Sequence, residues 1–256
     1  GLGPVGACLA ALLARRGLKV TVIERELEIY PTPRAVHFDG ETMRVLQEVG
    51  VAHELLSTTS PVVGMDMLGA GGEVIFHYRA KPGNSDAGWA EGYMFEQPLL
   101  EQALRATLQE LPGVELKLGH EVTDVVLHDD EQAPVLVRSM SAEGSVEHRG
   151  RLLVGCCGAR SITRGTMETA LFDYGTDQTW LVVDISLAER GTRPDVTVQY
   201  CEPERPSTYV PLPGLRRRFE LLVLPHEDVG TMTEDETIRL LLDRWLKETD
   251  YRIDRA

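Results

Sequence analysis

The chain opens on Gly1-Leu2-Gly3-Pro4-Val5-Gly6, runs through an apolar stretch to Arg16-Gly17, and resumes with Val20-Thr21-Val22-Ile23-Glu24. These opening residues decide the fold. A Gly-x-Gly-x-x-Gly turn that starts a helix gives each glycine a mechanical task. The first permits a tight turn, the second lets a diphosphate approach backbone N–H groups, and the third lets helix and strand pack closely. The helix N-terminus adds a positive field. Small residues followed by Leu9, Leu12 and Leu13 predict a helix over Val5–Arg16 with those leucines as its apolar face. Arg15 and Arg16 suit its last turn and Gly17 its stop. Val20–Glu24 is β-branched and apolar, as expected of a strand covered on both faces. Glu24 ends that strand about 20 residues beyond the turn, where a carboxylate accepts hydrogen bonds from both ribose hydroxyls and repels a 2′-phosphate. The pattern points to FAD or NAD rather than NADP. The competing reading is a plain connecting turn with Glu24 as solvated surface.

Composition narrows the class. In 256 residues, 26 Lys and Arg face 40 Asp and Glu, a net charge of −14, which argues against nucleic acid as a partner. The longest apolar run, Ala7–Ala14, is far short of the ~20 residues a bilayer-spanning helix needs, so no membrane partner is expected. No secretory leader pattern is read ahead of the glycine turn. Cys8, Cys156, Cys157 and Cys201 form no Cys-x-x-Cys pair and two are adjacent, which fits reduced thiols in a cytoplasmic protein. The seven histidines, His37, His53, His77, His120, His128, His148 and His226, show no metal-ligand spacing, so no metal is expected. Neither a Gly-x-Ser-x-Gly elbow nor a Walker loop is present, which disfavours serine and nucleoside-triphosphate hydrolysis.

Outward from the first motif, helices are expected at Glu41–Val49 and over 99–111, the second led by Pro98. Val62–Tyr78 reads as a hairpin, and 79–92 as a Gly/Pro/Asp-rich loop. Strands are expected at Val114–Leu118, Glu121–Leu127, Val135–Met140 and Ser145–Gly155. Beyond 175 they follow at Thr179–Leu187, Val196–Tyr200, Ser207–Val210 and Arg218–Leu224. Thr233 and Glu236 match a capping box for a last helix. Of Arg216, Arg217 and Arg218, one or two are expected in solvent and one turned inward. The fold class is α/β: a Rossmann-like domain over 1–62 and 90–172, interleaved with a β-sheet-rich domain over 63–89 and 173–256. The strand that should precede the glycine turn is missing and Tyr251–Ala256 looks like the start of a strand, so the chain reads as a fragment of a longer protein.

Four stretches together carry a family resemblance: Gly1–Gly6; Pro33-Arg34-Ala35-Val36 with Asp39; Phe95-Glu96-Gln97-Pro98-Leu99-Leu100-Glu101; and Leu153-Val154-Gly155-Cys156-Cys157-Gly158-Ala159-Arg160-Ser161. The similarity continues through Trp180–Asp184, Tyr200–Pro206 and Arg217–Glu220. The chain resembles the single-component flavoprotein aromatic hydroxylases, nearest the 3-(3-hydroxyphenyl)propionate hydroxylases and related polyketide hydroxylases. That resemblance implies a glutathione-reductase-type FAD domain. It assigns Gly1, Gly3, Pro4, Val5 and Gly6 to the diphosphate, Glu24 to the adenosine ribose and Arg25 to the neighbourhood of the adenine. Arg34 matches an arginine near flavin and diphosphate, Gln97 a side chain contacting FAD, and Val122 a backbone position at the adenine. Cys157 and Gly158 fall on the family's Asp-Gly fingerprint, which serves FAD and the nicotinamide, with a thiol in place of the carboxylate. The family's later Gly-Asp-Ala-Ala-His segment is not in this sequence.

The implied reaction uses NADH or NADPH to reduce FAD and O₂ to form a flavin hydroperoxide, whose distal oxygen attacks an electron-rich phenol. The β-rich half would wall the flavin, with Trp180, Tyr200 and Tyr209 as candidate lining residues for a small aromatic substrate and a packing role as the alternative for each. A homodimer is compatible with the resemblance. The sequence singles out no catalytic acid or base. Two alternatives stand beside the hydroxylase: a non-catalytic dinucleotide-binding remnant, suggested by Cys157 and by the missing Gly-Asp-Ala-Ala-His segment, and an S-adenosylmethionine-dependent methyltransferase, which also pairs a glycine-rich loop with an acid at a strand end.

Overall fold

The computed structural model describes residues 1–127, 134–167, 169–189, 191 and 194–256; His128 lies outside them. The chain divides into two compact units. One comprises Gly1–Ala35, Met43–Ser57 and Gln97–Phe172; the other comprises Val36–Thr42, Thr58–Glu96 and Asp173–Ala256. These bounds differ from the sequence reading, which left 36–42, 58–62 and 90–96 with the first domain. The cause is one short strand. Gly92–Met94, expected as loop or left unassigned, pairs antiparallel with both His37–Asp39 and Ser60–Pro61 and draws all three segments into the second unit.

In the first unit, Val20–Glu24 pairs in parallel with Val114–Leu118, Val20 opposite Val114 and Glu24 opposite Leu118. The helix Pro4–Arg15 packs against the helix Gln97–Glu110. Its buried stripe is Gly6, Ala7, Ala10, Ala11 and Ala14, whereas Leu9, Leu12 and Leu13 are only half-buried, which corrects the expected leucine face. Close approach of helix and neighbours selects the residues without bulk. Gly17 ends the helix in the left-handed region at φ 81°. The helix Gly40–Val49 begins in the second unit and ends in the first, burying Met43, Leu46 and Val49. Its end is closed by Gly50 at φ 96° and by Arg15, whose Nη2 donates to the Val49 carbonyl at 2.8 Å. A one-turn helix, Ala52–Leu55, absent from the sequence reading, follows. Glu121–Val126, Val135–Ser141 and Gly144–Gly150 form an antiparallel meander. The strand expected to reach Gly155 stops at Gly150, and 151–161 is irregular up to a short helix, Ile162–Gly165, capped by Ser161.

The second unit is built on a seven-stranded sheet. Its order is Tyr251–Arg255, Trp180–Leu187, Arg216–Leu222, Ser207–Pro211, Thr197–Tyr200, Gly64–Leu68 and Val74–Arg79. Neighbours are antiparallel except Thr197–Tyr200 beside Gly64–Leu68. One face of the sheet presents Val183, Ile185, Val198, Tyr209, Phe219 and Leu221 to Ile238 and Leu242 of the helix Asp235–Leu242. The expected capping box at its start does not form. Asp228 caps the preceding turn, Val229–Met232, and the Thr233 hydroxyl donates to the Gly230 carbonyl at 2.8 Å, so it is already engaged one turn earlier. The arginine triplet also differs from expectation: Arg217 and Arg218 are both buried, and Arg216 pairs with Glu96. Among the described residues no helix is long and apolar enough to cross a membrane.

Candidate functional site

The glycine turn is shaped by what each missing side chain permits. A Cβ on Gly1 would strike the Cys156 carbonyl oxygen, and one on Gly6 would strike the Gly1 carbonyl oxygen. A Cβ on Gly3 would meet no atom within 4 Å. Two glycines are therefore demanded by the protein's own packing, while the third keeps one side of the turn open. Gly3 is the helix N-cap, extended at φ −67° and ψ 179°, and no side chain caps the helix; Pro4 follows and the Val5 side chain is exposed. The free N–H groups of a first helical turn are donors for an anion.

Glu24 closes the next strand beside that turn. Its Oε2 accepts from the Leu2 N–H at 2.6 Å and its Oε1 from the Glu26 N–H at 3.0 Å. The Gly1 nitrogen donates to the Ile23 carbonyl at 2.7 Å. Each carboxylate oxygen keeps a second lone pair, so Glu24 is fixed in place and can still accept from a diol. The Glu24 carbonyl accepts from the His120 N–H at 2.9 Å, which ties Glu24 to the strand carrying half-buried Val122. Arg25 is exposed and its Nε donates to Glu26 Oε1 at 2.8 Å.

Gln97 has a clear positioning task. Its Oε1 accepts from the backbone N–H groups of Arg34 and Ala35 at 3.0 and 2.9 Å, and its Nε2 donates to Glu101 Oε1 at 2.7 Å. Gln97 and Glu101 are both buried. This pair fixes the loop that carries Arg34, whose exposed guanidinium lies 5.7 Å from the Tyr30 ring centroid. The sequence reading missed Glu101 as a partner, although spacing i to i+4 on one helix places the two side chains together.

Cys156 and Cys157 pass directly beneath Gly1. The exposed Cys157 Sγ lies 3.1 Å from Ser161 Oγ and 3.5 Å from Thr163 Oγ1. Burial raises its pKa, but hydrogen bonds from Ser161, Thr163 and nearby backbone outweigh this and bring it down to about 7. Cys8, by contrast, is pushed up to about 11 by burial. Gly158 follows at φ 74° with open space where a Cβ would stand. The first turn, the Glu24 carboxylate and the 155–161 loop thus meet at one end of the first unit. A turn left open at Gly3 beside a carboxylate held by backbone N–H groups fits the adenosine-diphosphate end of an FAD molecule.

The three aromatic candidates lie in the second unit and do not share one surface. Tyr209 is buried, its hydroxyl donating to the Pro194 carbonyl at 3.1 Å and accepting from Arg217 Nε at 2.8 Å, with its ring against Phe219. Tyr200 packs on Trp245, with Arg244 over its ring. Both belong to the helix-packed side of the sheet, a core placement rather than an open lining. Trp180, whose neighbour Leu181 enters that core, stands on the opposite face. Among the described residues no group of three or more His, Cys, Asp or Glu is arranged to hold a metal. His120 and His148, unremarked as a pair in the sequence, both contact the buried Ser139 hydroxyl, at 3.1 and 2.8 Å.

A family model described as an FAD binding domain matches residues 1–253. The chain is similar to the 3-(3-hydroxy-phenyl)propionate/3-hydroxycinnamic acid hydroxylase 2 of Burkholderia vietnamiensis, 34% identical over 98% of this chain and 45% of that protein. It is similar also to the "Probable NADH-specific resorcinol 4-hydroxylase" of Rhodococcus jostii, 38% identical over 86% of this chain and 41% of that protein. The chain thus spans less than half the length of these relatives. Among solved structures it resembles aklavinone-11 hydroxylase in complex with FAD and aklavinone, with a TM-score of 0.76 and 25% identity over 94% of this chain and 48% of that one. Open turn, anchored carboxylate and a match along nearly the whole sequence converge: the chain belongs to the FAD-binding flavoprotein monooxygenases, close to the 3-(3-hydroxyphenyl)propionate hydroxylases.

Proposed function

We propose that this chain supplies the FAD grip and part of the substrate-facing sheet of a monooxygenase that consumes NADH or NADPH and hydroxylates a phenolic ring. The observation that carries the reading is the open side of Gly3 next to the anchored Glu24 carboxylate. Bound FAD supplies the transfer of electrons from a nicotinamide to dioxygen and the delivery of one oxygen atom to the ring. Gly1, Gly3, Pro4, Val5 and Gly6 would hold the diphosphate, Glu24 the ribose and the Val122 strand the adenine. Gln97 orients the Arg34 loop toward the same ligand, and Cys157 with Gly158 borders it. The apolar packing of the second unit serves to keep water from the reacting ring.

The names of the relatives favour a phenol with a short carboxylate side chain or a dihydroxybenzene, and one of them favours NADH. The methyltransferase alternative has no support in the family match. The non-catalytic alternative keeps one motive, the thiol at Cys157. The deciding experiment is spectroscopic. Purified full-length protein is expected to be yellow and to oxidise NADH or NADPH faster when a phenol is added. A protein that retains FAD but never oxidises a nicotinamide would establish the remnant, and one that takes up no FAD would reject the reading altogether.

A further inference from the structure

In the first unit, the buried Ser139 hydroxyl stands between two half-buried imidazoles. His120 Nδ1 lies 3.1 Å from Ser139 Oγ and His148 Nε2 lies 2.8 Å from it, with the ring centroids 5.8 Å apart. A hydroxyl carries one proton, so it donates to one ring nitrogen and accepts from the other. The chain N–H···O–H···N is complete when both rings are neutral and when one is protonated. A second proton breaks it. Both rings then aim an N–H at the same oxygen, and two like charges share a poorly hydrated space.

The surroundings oppose that second proton. From the strand Val114–Leu118, Lys117 repels a charge on His148 and Glu115 attracts one, and these two are paired at 2.7 Å. Burial is the largest effect and, with His120 and Lys117, holds the His148 pKa below the ordinary histidine value. Arg138 and Glu147 stand opposite each other, one step out of phase with Ser139 and His148, and pair with Asp124 and Arg149 on the other face of the meander. Arg164, on the short helix beside the Glu121–Val126 strand, donates to the Ala159 carbonyl at 2.6 Å.

His120 is also tied to the candidate site. It follows Gly119, turned at φ 72°, and its backbone N–H donates to the Glu24 carbonyl at 2.9 Å. Displacing the His120 ring therefore pulls on the residue whose carboxylate is held by the Leu2 and Glu26 amides. We infer that His120, Ser139 and His148 form a positioning chain that seats Glu24 while it holds at most one proton, and that acidification releases Glu24 and weakens the grip on FAD. The inference rests on the FAD reading above and adds pH control to it. Its sign is opposite to that of bulk charge: on a chain of net charge −14, uptake of protons favours an anionic dinucleotide. Cys157, with its pKa of about 7, loses negative charge over the same range and acts in that favourable direction too.

The test titrates the full-length protein with FAD at pH 7.5 and pH 5.5, following flavin fluorescence, with far-UV circular dichroism recorded at both. Wild type is expected to bind at least tenfold more weakly at pH 5.5 with its fold intact. His148→Gln keeps a hydrogen-bonding group for Ser139 and takes up no proton, so it is expected to narrow that difference to less than threefold. In ring-proton NMR the His148 midpoint is expected to rise in His120→Gln, which removes the competing cation. Wild-type affinities within threefold of each other would overturn the inference. So would an equal acid loss in His148→Gln, a His148 midpoint unmoved by His120→Gln, or FAD loss only where the far-UV spectrum is lost as well. Normal uptake at pH 7.5 with any of these results defeats this inference alone, whereas no FAD uptake at pH 7.5 rejects the hydroxylase reading and this inference with it.

Discussion

The Leu2 amide donates to Glu24 Oε2 at 2.6 Å, so the residue between the first two glycines of the turn is bonded to the carboxylate that ends the neighbouring strand. Turn and acid are one mechanical piece. Replacing Glu24 by Gln keeps the shape but removes the charge that strengthens hydrogen bonds from a diol. FAD affinity is expected to fall by about 2 kcal/mol, roughly thirtyfold, with Glu24→Ala at least as severe. Quenching of flavin fluorescence during titration measures it, and an affinity within twofold of wild type would remove Glu24 from the site.

The glycines separate binding from folding. Gly3→Ala places a methyl group where no protein atom lies within 4 Å. Stability should change by about 1 kcal/mol or less, as for an N-cap substitution, while FAD binding weakens more than tenfold. Gly6→Ala drives a methyl group into the Gly1 carbonyl, and about 2 kcal/mol of stability should be lost through overpacking. Thermal melts run alongside FAD titrations distinguish the two, and a destabilised Gly3→Ala with normal FAD uptake would contradict the assignment.

Cys157, with its pKa brought down to about 7, should be the fast thiol of the chain, and Cys8, raised to about 11, an inert one. Carbamidomethylation followed by peptide mapping is expected to label Cys157 with a rate that rises through pH 7, and to leave Cys8 unmodified at pH 8. Ser161→Ala and Thr163→Val remove the hydrogen bonds that favour the thiolate and should shift that inflection upward. A Cys157 rate that is flat between pH 6 and pH 8 would refute this.

Asp184 answers two arginines. Its Oδ1 accepts from Arg218 Nε at 2.7 Å, and its Oδ2 accepts from Arg218 Nη2 and from Arg255 Nε, both at 3.0 Å. Asp184→Asn leaves a buried guanidinium facing a neutral group, and a loss of about 3–5 kcal/mol is expected in denaturant unfolding. A loss below about 1 kcal/mol would mean the pair is solvated in the working protein.

Glu227 accepts from Arg205 and from the Leu224 N–H at 2.8 Å. The Arg205 hydrogen bond is the leading cause that lowers its pKa from 4.5 to about 2. A carboxylate depressed in the folded state contributes stability that is complete above its unfolded pKa and fades as pH falls toward the folded one. The stability gap between wild type and Glu227→Gln should therefore be constant above about pH 5, at about 1 kcal/mol for a pair near the surface, and should close between pH 4.5 and pH 2. Urea unfolding at a series of pH values measures it, and a gap that widens on acidification would reverse the sign.

The parts of the fold that local chemistry dictates were legible in the sequence. Gly17, Val20–Glu24, Pro98 and the glycine turn each announce their element through backbone freedom, β-branching or a missing N–H. Pairings made across long sequence separations were not. Gly92–Met94 has no strand signature of its own and becomes a strand because His37–Asp39 and Ser60–Pro61 lie on either side of it. Burial of charge was equally hidden: Arg217 and Arg218 sit in an alternating strand that suggests one faces solvent, and a neighbouring strand's Asp184 and the carbonyls around Gly214 decide otherwise. At the candidate site the residues fixed by motif, Gly1, Gly3, Gly6 and Glu24, were readable one by one. Glu101, which locks Gln97, emerges only once the helix is known to bury that face.

The parallel edge between Thr197–Tyr200 and Gly64–Leu68 joins stretches more than a hundred residues apart, and no hairpin could have made it. The second unit therefore has no counterpart that can be cut out as one continuous peptide. A truncation that starts at Asp173 would leave Thr197–Tyr200 as a bare edge with its amides exposed, a surface prone to sticking to other strands. During synthesis the early hairpin must likewise wait, incomplete, until the C-terminal half emerges to receive it.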